Sequence, residues 1–512
     1  FYVWNKITGE YDGHSPNREG AELKQTYSTS QAMTFEFQAA YNKTIAQDHQ
    51  LGALFVFSRS EGADENFWAS RTKYRIYSIQ QLFAGPDKDK DNSGSASETG
   101  KVGSVFRLTY NYKEKYMLEA NGRLDGSEKF PKSKRYGFFP SVSAAWRISA
   151  EPFMEPFSGV LSNLKLRTSW GRAGTDNIGQ FQYMSAYGTG GDAVFGGQNP
   201  EIAPGYTETR FPNPNITWET SEMFNIGIDA SFFNGKLNLE ADWFYKKTND
   251  ILRERTDMPA ILGYKLPAAN VGKVDNRGID LNITHRNHLR DFNYSIAGNL
   301  TWARNKVIDL LEPAGEKNNP RQRSTGHSMS QYFGYEALGL FQSDEEANNW
   351  PQPQFGKAKA GDIKYKDQNG DGIIDAEDEI AIGRSNYPEL VYGLNLNAEW
   401  KGFDITFFFQ GAALADFYYN GYLAFPYIEG RGGALLEHHI GNTWTPENPK
   451  AEFPRLYYGG NANNQLFSSF WMRNGSYLRL KNVEIGYDFK SYCYPRYRKF
   501  RDCASTSAAP TC

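Results

Sequence analysis

Cysteine is nearly absent from this 512-residue sequence: only Cys493, Cys503 and Cys512 occur, all at the C-terminal end. An odd count at one terminus, without zinc-type spacing, excludes a disulfide framework for the body of the chain. Long apolar runs are missing too. The run from Ile405 to Phe409 stops at Gln410, far short of the ~20 apolar residues of a membrane-crossing helix. Charge of one sign is also lacking, since 56 Lys and Arg stand against 59 Asp and Glu. Without a basic field to neutralise phosphates, no nucleic acid is expected as a partner. No Ser-His-Asp order, paired-carboxylate cleft or nucleotide-binding loop stands out, so neither catalytic residues, an enzyme activity nor an organic cofactor is expected. The seven His are scattered, and the adjacent pair His438-His439 cannot present helical metal spacing, so they read as solvated loop histidines. The chain begins at Phe1 without Met or a signal peptide, and both ends read as incomplete.

Aromatic residues, by contrast, make up 15% of the chain, although its mean hydropathy is −0.64. An outward aromatic band on an otherwise polar barrel reconciles the two; a large dry core would not. The most explicit stretch is Phe224 to Tyr245. Asn234-Gly235 between alternating runs is a strong hairpin signal, because a two-residue type I′ turn needs positive φ at both central positions. Pairing Phe233 with Lys236 puts Phe232 opposite Leu237, Ala230 opposite Leu239, Ile228 opposite Ala241, Ile226 opposite Trp243 and Phe224 opposite Tyr245. That face is wholly apolar. The other carries Ser231/Asn238, Asp229/Glu240, Gly227/Asp242 and Asn225/Phe244. A stripe of about ten residues per strand crosses a bilayer at a tilt, and Phe, Trp and Tyr at its end suit a membrane interface. Facing carboxylates are tolerable beside water, as in a wide lumen.

The pattern recurs along the chain. Residues 1–25 read as the tail of an external loop, Ala32 to Tyr41 and Leu51 to Phe57 as a hairpin, and Gly85 to Gly100 as a mobile loop. Val105 to Leu124 forms a hairpin around Lys113-Glu114-Lys115. Val142 to Ile148, Leu164 to Trp170, Ile279 to Thr284 and Phe292 to Trp302 are further strands. Tyr392 to Gln410 folds about Lys401-Gly402. Residues 171–215, 246–277 and 303–390 are long excursions. Short tips alternating with long excursions mark outer-membrane barrels, here with on the order of fourteen to eighteen strands. The expected fold class is all-β, an antiparallel transmembrane β-barrel.

Several motifs, in order along the chain, resemble the SusC/RagA-type TonB-dependent outer-membrane transporters of Bacteroidetes. They are Arg123-Leu-Asp-Gly-Ser-Glu-Lys-Phe130, Arg135-Tyr-Gly-Phe-Phe-Pro-Ser-Val-Ser-Ala-Ala-Trp-Arg-Ile-Ser149, Leu164-Lys-Leu-Arg-Thr-Ser-Trp-Gly171 and Asn213-Pro-Asn-Ile-Thr-Trp-Glu-Thr-Ser221. Asn270-Val-Gly-Lys-Val-Asp-Asn-Arg-Gly278, Gly361-Asp-Ile-Lys-Tyr-Lys-Asp-Gln-Asn-Gly-Asp-Gly372 and Tyr477-Leu-Arg-Leu-Lys-Asn-Val-Glu-Ile-Gly-Tyr487 follow. The resemblance implies an outer-membrane location and TonB-dependent import of a nutrient, an oligosaccharide or oligopeptide. It further implies outer-membrane lipid, a SusD-like surface lipoprotein and a TonB complex as partners, the last acting through a plug. Against that family the chain reads as a partial barrel over 1–489, without the plug or the first and last strands. Residues 490–512 read as an aberrant, disordered tail. The rival readings are a passive porin-like channel and a soluble β-rich carbohydrate-binding protein.

One constellation carries explicit site chemistry. Asp367, Asn369 and Asp371, the Ile373 carbonyl, Asp375 and Asp378 follow calcium-loop spacing, with Asp378 in place of the usual bidentate Glu. A structural calcium ion clipping a long excursion is expected there. Trp350, Tyr332, Phe333, Phe417, Tyr418 and Tyr419 lie in or near excursions as candidates for stacking on sugar faces, against the commoner use of such residues as girdle.

Overall fold

The protein, as a computed structural model, is described over residues 2–5, 10–13, 21–74, 79–88, 90–196, 201–254, 266–312, 324–427, 435–489 and 504–510. Fourteen strands form one antiparallel sheet in which every strand lies beside its neighbours in sequence. They are β1 (Ala21–Ile45), β2 (His49–Tyr74), β3 (Lys90–Tyr112), β4 (Tyr116–Ser127), β5 (Tyr136–Arg147), β6 (Leu161–Thr175) and β7 (Glu219–Phe232). Then come β8 (Leu237–Glu254), β9 (Ala268–Leu289), β10 (Phe292–Asp309), β11 (Leu390–Trp400), β12 (Phe403–Ala413), β13 (Tyr477–Asp488) and β14 (Ala504–Pro510). No described helix is long and apolar enough to cross a membrane.

The apolar stripes line up from strand to strand. Leu108 stands opposite Ala120, Ala120 opposite Val142 and Val142 opposite Trp170. The row continues through Phe224 to Tyr245. Nearer the tips, Tyr112, Tyr116 and Trp146 stack in series at 6.4 and 6.5 Å. These side chains are exposed rather than packed inward: Leu108 by 62%, Phe138 by 56% and Ile485 by 51%. A continuous outward apolar belt with aromatic borders is what a barrel wall presents to acyl chains. An Arg placed on it would cost about 2–4 kcal/mol at midplane, which holds the register of every ladder.

The central hairpin has the expected register from Phe224↔Tyr245 to Phe232↔Leu237. Its tip differs. Phe233 has φ +52, as Asn234 and Gly235 have φ +57 and +84, so the loop spans four residues and Phe233 leaves the ladder. Its N–H instead bonds sideways to the Val160 carbonyl, tying this tip to the neighbouring one. The Lys401-Gly402 tip keeps the two-residue form, with φ +48 and +87 and Trp400 opposite Phe403.

Strands run well past the expected ends. β1 begins at Ala21, inside the segment read as loop, and Lys90 to Gly100 is strand paired to Arg71–Glu61 rather than mobile loop. β8 and β9 likewise extend into the 246–277 excursion. Beyond the bilayer a ladder is held by main-chain bonds alone and needs no apolar alternation, so the pattern that marks strands fades there. Of the expected tail, Ala504–Pro510 forms the strand that pairs with β13. Residues 490–503 and 511–512 lie outside those described.

Among the described residues, the buried apolar clusters lie in the excursions and the wall beneath them. Tyr335, Ile363, Tyr365, Ile374, Ala424, Phe425, Phe453 and Trp471 form one buried cluster. Phe130, Phe139, Ile216, Trp218 and Ala268 form a second.

Candidate functional site

The face opposite the belt is polar, and Arg167 organises its centre. It stands beside Gly227 on β7, which in turn faces Asp242 on β8. The guanidinium bonds Asp229 at 2.7 Å through Nη2 and 2.9 Å through Nε, and reaches Asp242 at 2.9 and 3.0 Å. A Cβ at position 227 would lie 2.1 Å from the Asp242 Oδ1; glycine clears the way for the side chain to cross β7. One planar cation on β6 thus neutralises two acids, one on β7 and one on β8. Arg107 with Asn121, and Arg123 with Asp125, continue this charged lining.

At the outer end, the connections after β10 and β12 pack into one body. Its hub is Asp362, fully buried. Its Oδ1 accepts from Arg455 Nε at 3.1 Å, Asn461 Nδ2 at 3.2 Å and Asn464 Nδ2 at 3.0 Å. Its Oδ2 accepts from the Lys359 N–H at 2.8 Å and the Tyr457 hydroxyl at 3.0 Å. Gly361, with φ +83, is pressed against the Trp444 ring, where a Cβ would sit 2.3 Å from an indole carbon. Gly361-Asp362 opens the motif that runs to Gly372, whose calcium-type spacing begins only at Asp367. Asp362 stands among Lys359, Lys364 and Lys366 and reads like any solvated surface acid, so nothing local marks it as buried.

Most aromatic candidates hold this body together. Trp350 donates its indole N–H to the Tyr365 carbonyl at 2.7 Å and carries Lys364 over its ring. Tyr332 and Tyr418 pack on Phe467, at 5.5 and 4.1 Å between ring centres. Phe333 meets His327, and Tyr419 borders the first cluster. Burial pushes the Tyr418 phenol up to about 12. Phe417 alone of the six is exposed.

The calcium-type loop closes on its own amides. Asp367 accepts from the N–H groups of Gly370 and Gly372, Asn369 from that of Asp371, and Asp371 from that of Ile373. Asp375 caps a short 3₁₀ turn and accepts from Glu377 and from Gln354. Asp378 is fully buried, with its two oxygens taken by the N–H groups of Gln368 and Asp375. Among the described residues no three His, Cys, Asp or Glu gather as metal ligands. An ion closing this loop would share the Asp378 carboxylate with the two amides that hold it.

The histidine pair is not solvated as a unit. His439 is fully buried against Phe453 at 4.7 Å. Burial, then neighbouring His438, holds its pKa below the ordinary value.

A model of the TonB dependent receptor-like β-barrel matches residues 2–373. TonB-dependent receptor P26 of Formosa agariphila is 34% identical over 402 residues, covering 76% of this chain and 39% of the relative. TonB-dependent receptor SusC of Bacteroides thetaiotaomicron is 27% identical over 475 residues, covering 89% of this chain and 45% of the relative. The chain therefore spans less than half the length of these curated relatives. The RagAB peptide transporter superimposes with a TM-score of 0.75 at 22% identity, over 91% of this chain and 49% of that one. This last likeness is one of fold.

Proposed function

The chain belongs to the TonB-dependent receptor β-barrel family of the outer membrane, and on that premise we propose that it serves nutrient import through a large barrel. The imported molecule is an oligosaccharide or an oligopeptide. The observation that carries this reading is the pairing of a lipid-facing wall with a close-packed outer body. The sheet exposes an apolar belt outward and a charged lining inward, while the long connections above are packed around Asp362 instead of lying loose.

Such a body suits contact with a second protein. Tyr422, Leu423, Ile440 and Tyr458 on the same excursion are exposed by 65%, 59%, 67% and 83%. A SusD-like surface lipoprotein that captures substrate is the partner we assign to this outer end. A TonB complex supplies the energy.

The test is uptake. Cells carrying the intact gene should accumulate labelled oligomer, lose uptake when TonB is depleted, and lose most of it when Tyr422, Leu423 and Ile440 are replaced by Ser. Uptake indifferent to TonB would reduce the protein to a passive channel. Parallel assays with glycan and peptide mixtures identify the substrate class.

A further inference from the structure

Just beyond the apolar belt, the outward face of β8, β9 and β10 turns basic. Lys247 follows Tyr245, Arg277 precedes Ile279, and Arg304 and Lys306 follow Trp302 at alternate positions; all four cations are exposed. In the ladder, Arg277 stands directly opposite Arg304, and like charges so placed repel. Nearby acids are already engaged. Glu389 lies 3.4 Å from Arg304, and Asp275 accepts the Tyr245 hydroxyl at 2.5 Å. Among the described residues, Arg277 has no carboxylate at ion-pair distance. The ladder between β10 and β11 stops at Trp302↔Leu390. Where β10 rises past that point, a cavity of about 710 Å³ opens, lined by Arg277, Arg304, Lys306 and Arg384 with Asp275 and Glu389.

We propose that this cavity binds the phosphate of an outer-leaflet lipid headgroup. An anion between Arg277 and Arg304 turns their repulsion into two fork-type hydrogen-bonded contacts, the geometry guanidinium groups offer phosphate. The location selects the source. Trp243, Ile279 and Trp302 continue directly from the basic positions into the lipid-contacting belt. A headgroup phosphate seated here leaves its acyl chains on that apolar surface, whereas a free phosphate gains nothing from it.

Native mass spectrometry of the purified protein in detergent, with added lipid A, tests the site. Phosphorylated lipid A should remain bound, dephosphorylated lipid A should not, and an equimolar amount of inorganic phosphate should leave the complex intact. The Arg277→Gln/Arg304→Gln protein should hold the lipid about tenfold more weakly, and Arg277→Lys/Arg304→Lys should fall between. Equal retention of the two lipids by the unaltered protein would overturn the proposal without any variant. So would displacement by equimolar phosphate, which would make this a soluble-anion site, or undiminished binding by the Gln pair.

Discussion

Arg167 and Asp242 stand two strands apart, yet Nη2 and Oδ2 meet at 2.9 Å because the residue between them is Gly227. Removing the cation leaves Asp229 and Asp242 without the guanidinium that bonds both. Arg167→Met should lower the barrel's unfolding free energy by about 1.5–3 kcal/mol, the range for hydrogen bonds to charged groups. Heat-modifiability on gels, as a shift in the temperature of band conversion, reads this out.

Gly227 is open to an independent check. Gly227→Ala should push Asp242 away and cost about 1–3 kcal/mol. In an Asp242→Ala background the same change should cost less, because the oxygen at 2.1 Å is gone and the remaining close atom, Arg167 Nη2 at 2.9 Å, is the far end of a flexible side chain. Additive losses across this double-mutant cycle would refute the crossing geometry.

Asp362 should matter to the outer body but not to the wall. Asp362→Ala strands Arg455, Tyr457, Asn461 and Asn464 without their acceptor, at about 3–5 kcal/mol for a buried charge network. Limited proteolysis should cut the excursions after β10 and β12 rapidly while the membrane-embedded strands stay protected.

His439 gives the outer body an acid sensitivity. Its folded pKa is below the ordinary 6.5 of the unfolded chain, so protons bind the unfolded form first as pH falls. The stability it contributes is complete above that ordinary value. It is lost progressively as pH drops from there towards the depressed folded value. Proteolysis of the excursions should accelerate between pH 7.5 and pH 5, and His439→Gln should flatten the dependence.

Calcium should bind the Asp367–Asp378 loop only weakly. With both Asp378 oxygens held by amides, calorimetric titration of the purified protein is expected to show no saturable binding below about 1 mM, the weak end of such loops. Asp378→Glu should not tighten it.

The membrane-crossing wall was legible in the sequence because bilayer and lumen impose opposite preferences on alternate residues. Every expected pair from Phe224/Tyr245 to Phe232/Leu237, and from Leu394/Phe409 to Trp400/Phe403, occurs. Signal failed where that constraint ends. Lys90 to Gly100 is strand without apolar alternation. The outer body was illegible for another reason: Asp362, Arg455 and Asn464 meet across about a hundred residues of chain, and no local pattern encodes such a meeting. In the Asp367 loop, ligation and self-capping call for the same acids and glycines, so spacing alone does not separate the two.

The placement of close packing has an evolutionary consequence. Acyl chains are liquid and mould themselves around whatever aliphatic shape the wall offers, so Leu108, Ile226 or Ile485 can drift to another greasy residue at little penalty. Trp471, Tyr365 and Ile363 sit in a solid, crystal-dense interior, where a single methylene matters. Inherited variation should therefore accumulate on the bilayer side faster than in the extracellular crown, reversing the habit of soluble proteins, whose greasiest residues change least.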